Sequence, residues 1–136
     1  MKKLSTILSV ALGLFMIYAG VTHLQKPVFY LPFVPEFLPF RDAIVTVSGL
    51  LEIALGIAVL LPRYRYLSAL SILALMVLFL PVHIADLFRD TPAIGSHDAA
   101  LIRLPVQFVF ILWAWVASRN ATLTRPVHEK PIKPKQ

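Results

Sequence analysis

The chain has 136 residues, 58% of them hydrophobic and only 15% charged, with a formal charge of +6 and no cysteine. Soluble globular domains carry about 25% charged residues, so this composition points to a single-domain membrane protein. The missing thiol excludes disulfide exchange, cysteine nucleophiles, thiolate metal sites and iron–sulfur clusters.

Four apolar blocks predict an all-α polytopic fold, a four-transmembrane-helix bundle with helices at about 4–24, 43–61, 67–88 and 99–118. Each is near the ~20 residues that carry a helix across roughly 30 Å of hydrocarbon. The period-two alternation of a membrane barrel is absent. No small-x-small cleavage pattern follows the first block, so it is read as a retained helix rather than a signal peptide. Gly13 and Gly20 on this helix allow a neighbour to approach closely. The helix ends in Gly20-Val21-Thr22-His23.

The next stretch interleaves Pro27, Pro32, Pro35 and Pro39 with Phe29, Tyr30, Phe33, Phe37 and Phe40. The prolines forbid a continuous helix and the aromatics prefer the headgroup region. It reads as an interfacial lid over the outer mouth of the bundle. In the second helix Ser48, Gly49, Glu52 and Gly56 share one face, which is therefore the inward face. Arg63 and Arg65 lie in the short turn before the third helix, where they and two tyrosines anchor the chain at the interface. The third helix carries Pro81, His83 and Asp86, the last two on one face. The fourth carries Arg103 and Gln107 one turn apart, with Trp113 and Trp115 near its inner end.

Residues 1–119 are thus the membrane domain and residues 120–136 a basic, disordered cytoplasmic tail. Lys2, Lys3, Arg63, Arg65, Arg119, Arg125, Lys130, Lys133 and Lys135 all fall on one side of the four spans. By the positive-inside rule both termini are cytoplasmic, in a bacterial inner (plasma) membrane. That distribution accounts for the net charge without a nucleic-acid partner.

Glu52 lies in the middle of its span, where a charge costs about 2.5–3.5 kcal/mol on insertion scales, so it needs a buried partner or a wet cavity. His23, Ser48, Glu52, His83, Asp86, Arg103 and Gln107 all fall in the outer half of the membrane, which implies a shared polar pocket opening outward. The candidate cations for Glu52 are Arg103, His23 and His83, and Arg103 is preferred because a guanidinium binds a carboxylate through two hydrogen bonds and stays charged. The same pair read without a ligand is a structural lock between helices. His23, His83, Asp86 and Glu52 are also ligand types for a metal, but their spacing matches no metal motif and Arg103 would repel a cation, so no metal site is assigned.

Ala19-Gly20-Val21-Thr22-His23 with Lys26-Pro27, Ser48-Gly49-Leu50-Leu51-Glu52 with Leu61-Pro62-Arg63, and Arg103-Leu104-Pro105-Val106-Gln107 resemble, in order, segments of DoxX-like membrane proteins. The resemblance extends to about Arg119 and implies a compact four-helix membrane bundle. It further implies a link to quinone-coupled oxidoreductase systems, with distant relatives acting as receptor chaperones. The thiol redox chemistry of related bundles is excluded by the absence of cysteine.

The expectation is a membrane subunit that holds a quinone or lipid-like molecule in the outward pocket, without self-contained catalytic machinery or a resident electron carrier. A non-catalytic membrane chaperone or assembly factor, packing on a membrane protein partner or on a second copy, is the alternative. A proton-coupled transporter is the third reading.

Overall fold

The computed structural model describes residues 2–122. Four of its helices are long and apolar enough to cross a membrane: α1 (Lys2–Gln25), α3 (Arg41–Leu60), α4 (Arg65–Leu87) and α5 (His97–Thr122). Between α1 and α3 lie the one-turn helix α2 (Pro27–Tyr30) and a 3-10 turn, Leu31–Phe33. Among the described residues there is no strand. The fold is therefore the expected all-α bundle with four candidate spans. Its last helix runs past the expected end to Thr122, and from residue 123 the tail lies outside the described residues.

The helices form a ring. α1 packs along α3, α3 along α4, α4 along α5, and α5 closes back on α1, while α3 and α5 stand on a diagonal with little between them. The tightest seam is α1 against α3, and its cause is visible in four glycines. Gly13 faces Gly56 and Gly20 faces Gly49, in antiparallel register. A Cβ added to Gly56 would lie 2.7 Å from the Gly13 carbonyl oxygen, and one added to Gly13 would lie 2.8 Å from that of Gly56. Without a hydrophobic drive between helices in lipid, such backbone-to-backbone packing holds a bundle together.

The apolar core fills the half of the bundle that holds the α3–α4 turn. Leu12, Met16, Val59, Ala69, Ile72, Leu75, Met76, Ala114 and Ala117 pack together, flanked by a Phe15–Phe110 stack at 4.4 Å between ring centres. Trp113 donates its indole N–H to the Leu8 carbonyl at 3.1 Å, which ties α5 to α1 at this end. Arg65, read from sequence as an interface anchor, is instead buried. Its guanidinium donates to the Val59 and Leu60 carbonyls, both at 3.3 Å, and so satisfies the end of α3.

The lid is more ordered than its prolines suggest. Pro27 occupies the first position of α2, where its missing N–H costs nothing. Phe40 adopts φ 57°, a left-handed conformation that turns the chain abruptly into α3 at a cost of about 1–2 kcal/mol for a residue with a Cβ. Gly95, at φ 106°, makes the comparable turn between α4 and α5 without that cost.

Candidate functional site

The seven residues expected to share one pocket form two centres, one on each pair of neighbouring helices. The first lies between α1 and α3. Glu52 is 3% exposed, and its Oε2 is 2.9 Å from His23 Nδ1. The expected Glu52–Arg103 pair does not form, because α3 and α5 are diagonal in the ring. His23 takes the place of Arg103 because helical side chains lean toward the N-terminus of their own helix. The Glu52 carboxylate therefore leans toward the start of α3, and His23 leans back along α1 to meet it. The glycine register brings the backbones close here, and the Cβ of His23 lies against Gly49.

Two further residues hold His23 in place. The Tyr30 ring lies on the imidazole at 3.7 Å between centres. The Thr22 hydroxyl donates to the Ala19 carbonyl at 2.7 Å and has a single hydrogen, so across its 2.7 Å contact with Tyr30 the phenol is the donor. The lid is thereby fastened to the first centre through Tyr30.

The buried pair yields a test. Replacing Glu52 by leucine strands the imidazole, and replacing His23 by leucine strands the carboxylate at about 3–5 kcal/mol, the cost of leaving one member of a buried ionic pair alone. The double replacement by leucine is expected to be more stable than His23→Leu alone, read as midpoint temperatures in detergent. Additive losses would show that the two side chains do not interact.

The second centre lies between α4 and α5. Asp86 is 2% exposed, far from the headgroup water in which its position near a helix end would place it. Its Oδ1 accepts the Ala93 N–H at 2.5 Å and lies 3.8 Å from Arg89 Nη1, while Oδ2 lies 3.9 Å from Arg103 Nη1. The last two separations are electrostatic contacts rather than hydrogen bonds. Asp86 Oδ2, Arg103 Nη1 and His83 Nδ1 are buried without a hydrogen-bond partner among the described residues. Gln107 is spent on the backbone, donating to the Met76 carbonyl at 2.7 Å in the turn before Pro81. Ser48 is likewise spent, donating to Val45 of its own helix at 2.9 Å. These two, expected to line the pocket, instead satisfy main chain.

Three arginines, from the start of α3, the loop after α4 and from α5, clamp the lid over both centres. Arg41 donates to the Leu31 carbonyl at 2.7 Å, and Arg89 donates to the Pro32 carbonyl at 2.6 Å. The Arg103 guanidinium carbon stands 3.9 Å from the centre of the Phe33 ring, a cation–π contact. Sequence reading singled out only Arg103. The other two lie beyond the ends of the apolar blocks, where charge is ordinary, and nothing local marks them as clamps.

Beside Phe33 is a cavity of about 310 Å³. Its walls are Phe33, Pro35 and Phe37 of the lid with Pro81, Val82 and Ala85 of α4, and Asp86 and Arg89 form its polar end. Among the described residues no group of three or more His, Asp or Glu side chains is placed to hold a metal ion.

Fold and site together define a small four-helix protein of membrane-spanning character, apolar in one half and carrying paired charges under a lid in the other. Residues 12–118 match the family described as Domain of unknown function (DUF8561), and the chain belongs to that family. No curated protein and no solved structure matches the chain.

Proposed function

We propose that the protein is a DoxX-like membrane subunit of an oxidoreductase system that binds a quinone or similar lipid-like amphiphile between the lid and α4. The observation that carries this reading is the apolar cavity with its polar end at Asp86, next to three buried polar atoms that lack partners. Leaving a buried donor or acceptor unmade costs about 1–3 kcal/mol, so three together favour a ligand that supplies both kinds of group. A quinone carbonyl accepts from Arg103 Nη1, the hydroxyl of the reduced form donates to Asp86 Oδ2, and His83 Nδ1 takes either role. The volume, near the lower end of the range for small-molecule pockets, suits a ring and the start of its tail. Phe33 both lines the cavity and covers Arg103, so admission of the head requires the Phe33 ring to swing aside.

The resemblance of the three segments to DoxX-like proteins supports the quinone assignment over a general lipid. The chain has no residue suited to carry electrons, so on this reading a partner protein supplies them. The topology that goes with it places both termini in the cytoplasm and the lid on the outer face.

The test is a mass-spectrometric inventory of small molecules retained by protein purified in mild detergent. Wild type is expected to retain a quinone and Asp86→Asn to lose it. If wild type retains no quinone or other amphiphile, or if the variant retains it equally, the reading is wrong.

A further inference from the structure

A second recess lies on the other side of the clamp. It is a groove of about 890 Å³ that shares only Arg89 with the cavity beside Phe33, and its charged lining is Glu36, Arg41, Arg89 and Asp90. None of the four was a site candidate from the sequence, and among the described residues Arg89 alone of them has an ion pair.

The two arginines are arranged unusually. They donate to the carbonyls of consecutive residues, Leu31 and Pro32, so two guanidinium groups converge on adjacent peptide units. Like charges brought together repel unless an anion lies between them. The protein supplies little of one. Among the described residues Arg41 has no carboxylate within 4.0 Å, and Arg89 has only Asp86 at 3.8 Å, which also faces Arg103. Each guanidinium has five N–H donors, and Arg41 Nε is buried with no hydrogen-bond partner among the described residues. Two forks with unspent donors fit a group with several acceptor oxygens, which is the geometry of a phosphate.

The same groove carries the opposite charge at its rim. Glu36 and Asp90 are exposed, and neither makes an ion pair with any described residue. The groove also has apolar walls that face outward, with Val28 76% and Phe88 80% exposed, as in a site at the level of lipid headgroups.

We propose that this groove binds a phosphoethanolamine group, with its phosphate on Arg41 and Arg89 and its primary ammonium on Glu36 and Asp90. The site is distinct from the quinone site and does not rest on it. A phosphate held there engages the two arginines that fasten the lid, so occupancy bears directly on how firmly Leu31 and Pro32 are held.

The experiment is native mass spectrometry of delipidated full-length protein offered equal amounts of three phospholipids with identical acyl chains and phosphoethanolamine, phosphocholine or phosphoglycerol heads. Wild type is expected to prefer the phosphoethanolamine lipid by about tenfold, the effect of one charge-assisted hydrogen bond. In Glu36→Gln with Asp90→Asn, both exposed positions where the fold is not at stake, that preference should vanish while the unfolding midpoint in detergent is unchanged. Arg41→Gln should lower binding of all three lipids. Equal binding of the three lipids by wild type, or a preference that survives in the double variant, overturns the proposal. Soluble phosphoethanolamine is the second arm. Displacement of the lipid by it supports a free ligand of this chemistry, and failure to displace supports the membrane lipid.

Discussion

Gly20→Leu is expected to prevent the bundle from assembling. A Cβ at Gly20 runs into the Gly49 carbonyl oxygen, with Ile53 Cγ1 2.7 Å away and the Ile53 backbone nitrogen 3.0 Å away. Two of those three atoms are main chain, so no rotamer change relieves the contact and α1 must move off α3. Even a single methyl forced into a packed site costs about 1–3 kcal/mol, and leucine adds three further carbons. The shift would also separate His23 from Glu52, which meet one turn away. Gly20→Ala should therefore lower the midpoint of thermal unfolding in detergent by several degrees, and Gly20→Leu should yield no monodisperse protein. Leu14→Ala on the same helix removes a side chain that is 58% exposed toward lipid, and it should stay within about 0.5 kcal/mol of wild type. Equal behaviour of Gly20→Leu and Leu14→Ala would show that the glycine seam is not what joins α1 to α3.

Asp86→Leu is the second large effect, expected at about 3–5 kcal/mol, the cost of removing one partner of a buried ionic group. Three dependants are stranded together: the Ala93 N–H at 2.5 Å, Arg89 at 3.8 Å and Arg103 at 3.9 Å. The loss is greater than that of a single hydrogen bond because Arg103 is left facing Phe33 with its charge uncompensated. Asp86→Asn keeps an oxygen for Ala93 and should lose only part of that stability. The measurement is the unfolding midpoint of the two variants and of Arg103→Leu with Asp86→Leu. The double variant should recover part of the loss, and no recovery would mean that the two charges are not coupled.

The four helices were legible because apolar length alone specifies them, and the inward face of α3 was legible because Gly49, Glu52 and Gly56 fall together at helical spacing. What single-sequence reasoning did not supply is which helices are neighbours. Placing Glu52 opposite Arg103 assumed that any two helices of a bundle can meet, and the ring order makes α3 and α5 diagonal. A signal for the correct partner was present in the sequence. Gly13 and Gly20 on one helix have the same seven-residue spacing as Gly49 and Gly56 on the next, and an antiparallel match of the two pairs brings His23 beside Gly49, one turn from Glu52. His23 was placed in the pocket but ranked below Arg103 as the partner of Glu52, because burial of a residue near a helix end depends on what the following loop does, here the return of Tyr30 over its ring.

Depth followed the same rule. Asp86 is near the end of α4 and yet 2% exposed, because the chain after α4 folds back so that Ala93 closes over it. Gln107 and Ser48 were expected in the pocket on residue type, and each instead bonds to a carbonyl of the main chain. Polar side chains within an apolar span commonly serve the backbone, and the sequence does not distinguish that use from a ligand contact. Arg41 and Arg89 were passed over for the opposite reason, since a charge outside an apolar block carries no anomaly.

The proposed ligand head is held at Asp86 and Arg103 beneath Phe33. Photolabelling of the protein in lipid nanodiscs with a short-tailed quinone that carries a photoreactive group on its ring tests this most directly, with the labelled residues located by peptide sequencing. Label is expected on Phe33, Pro35 and Phe37 of the lid and on Val82 and Ala85 of α4, competed by unlabelled quinone and lost in Asp86→Asn. Label spread over the outward faces of α1 and α5, with no competition and no response to Asp86→Asn, would contradict it.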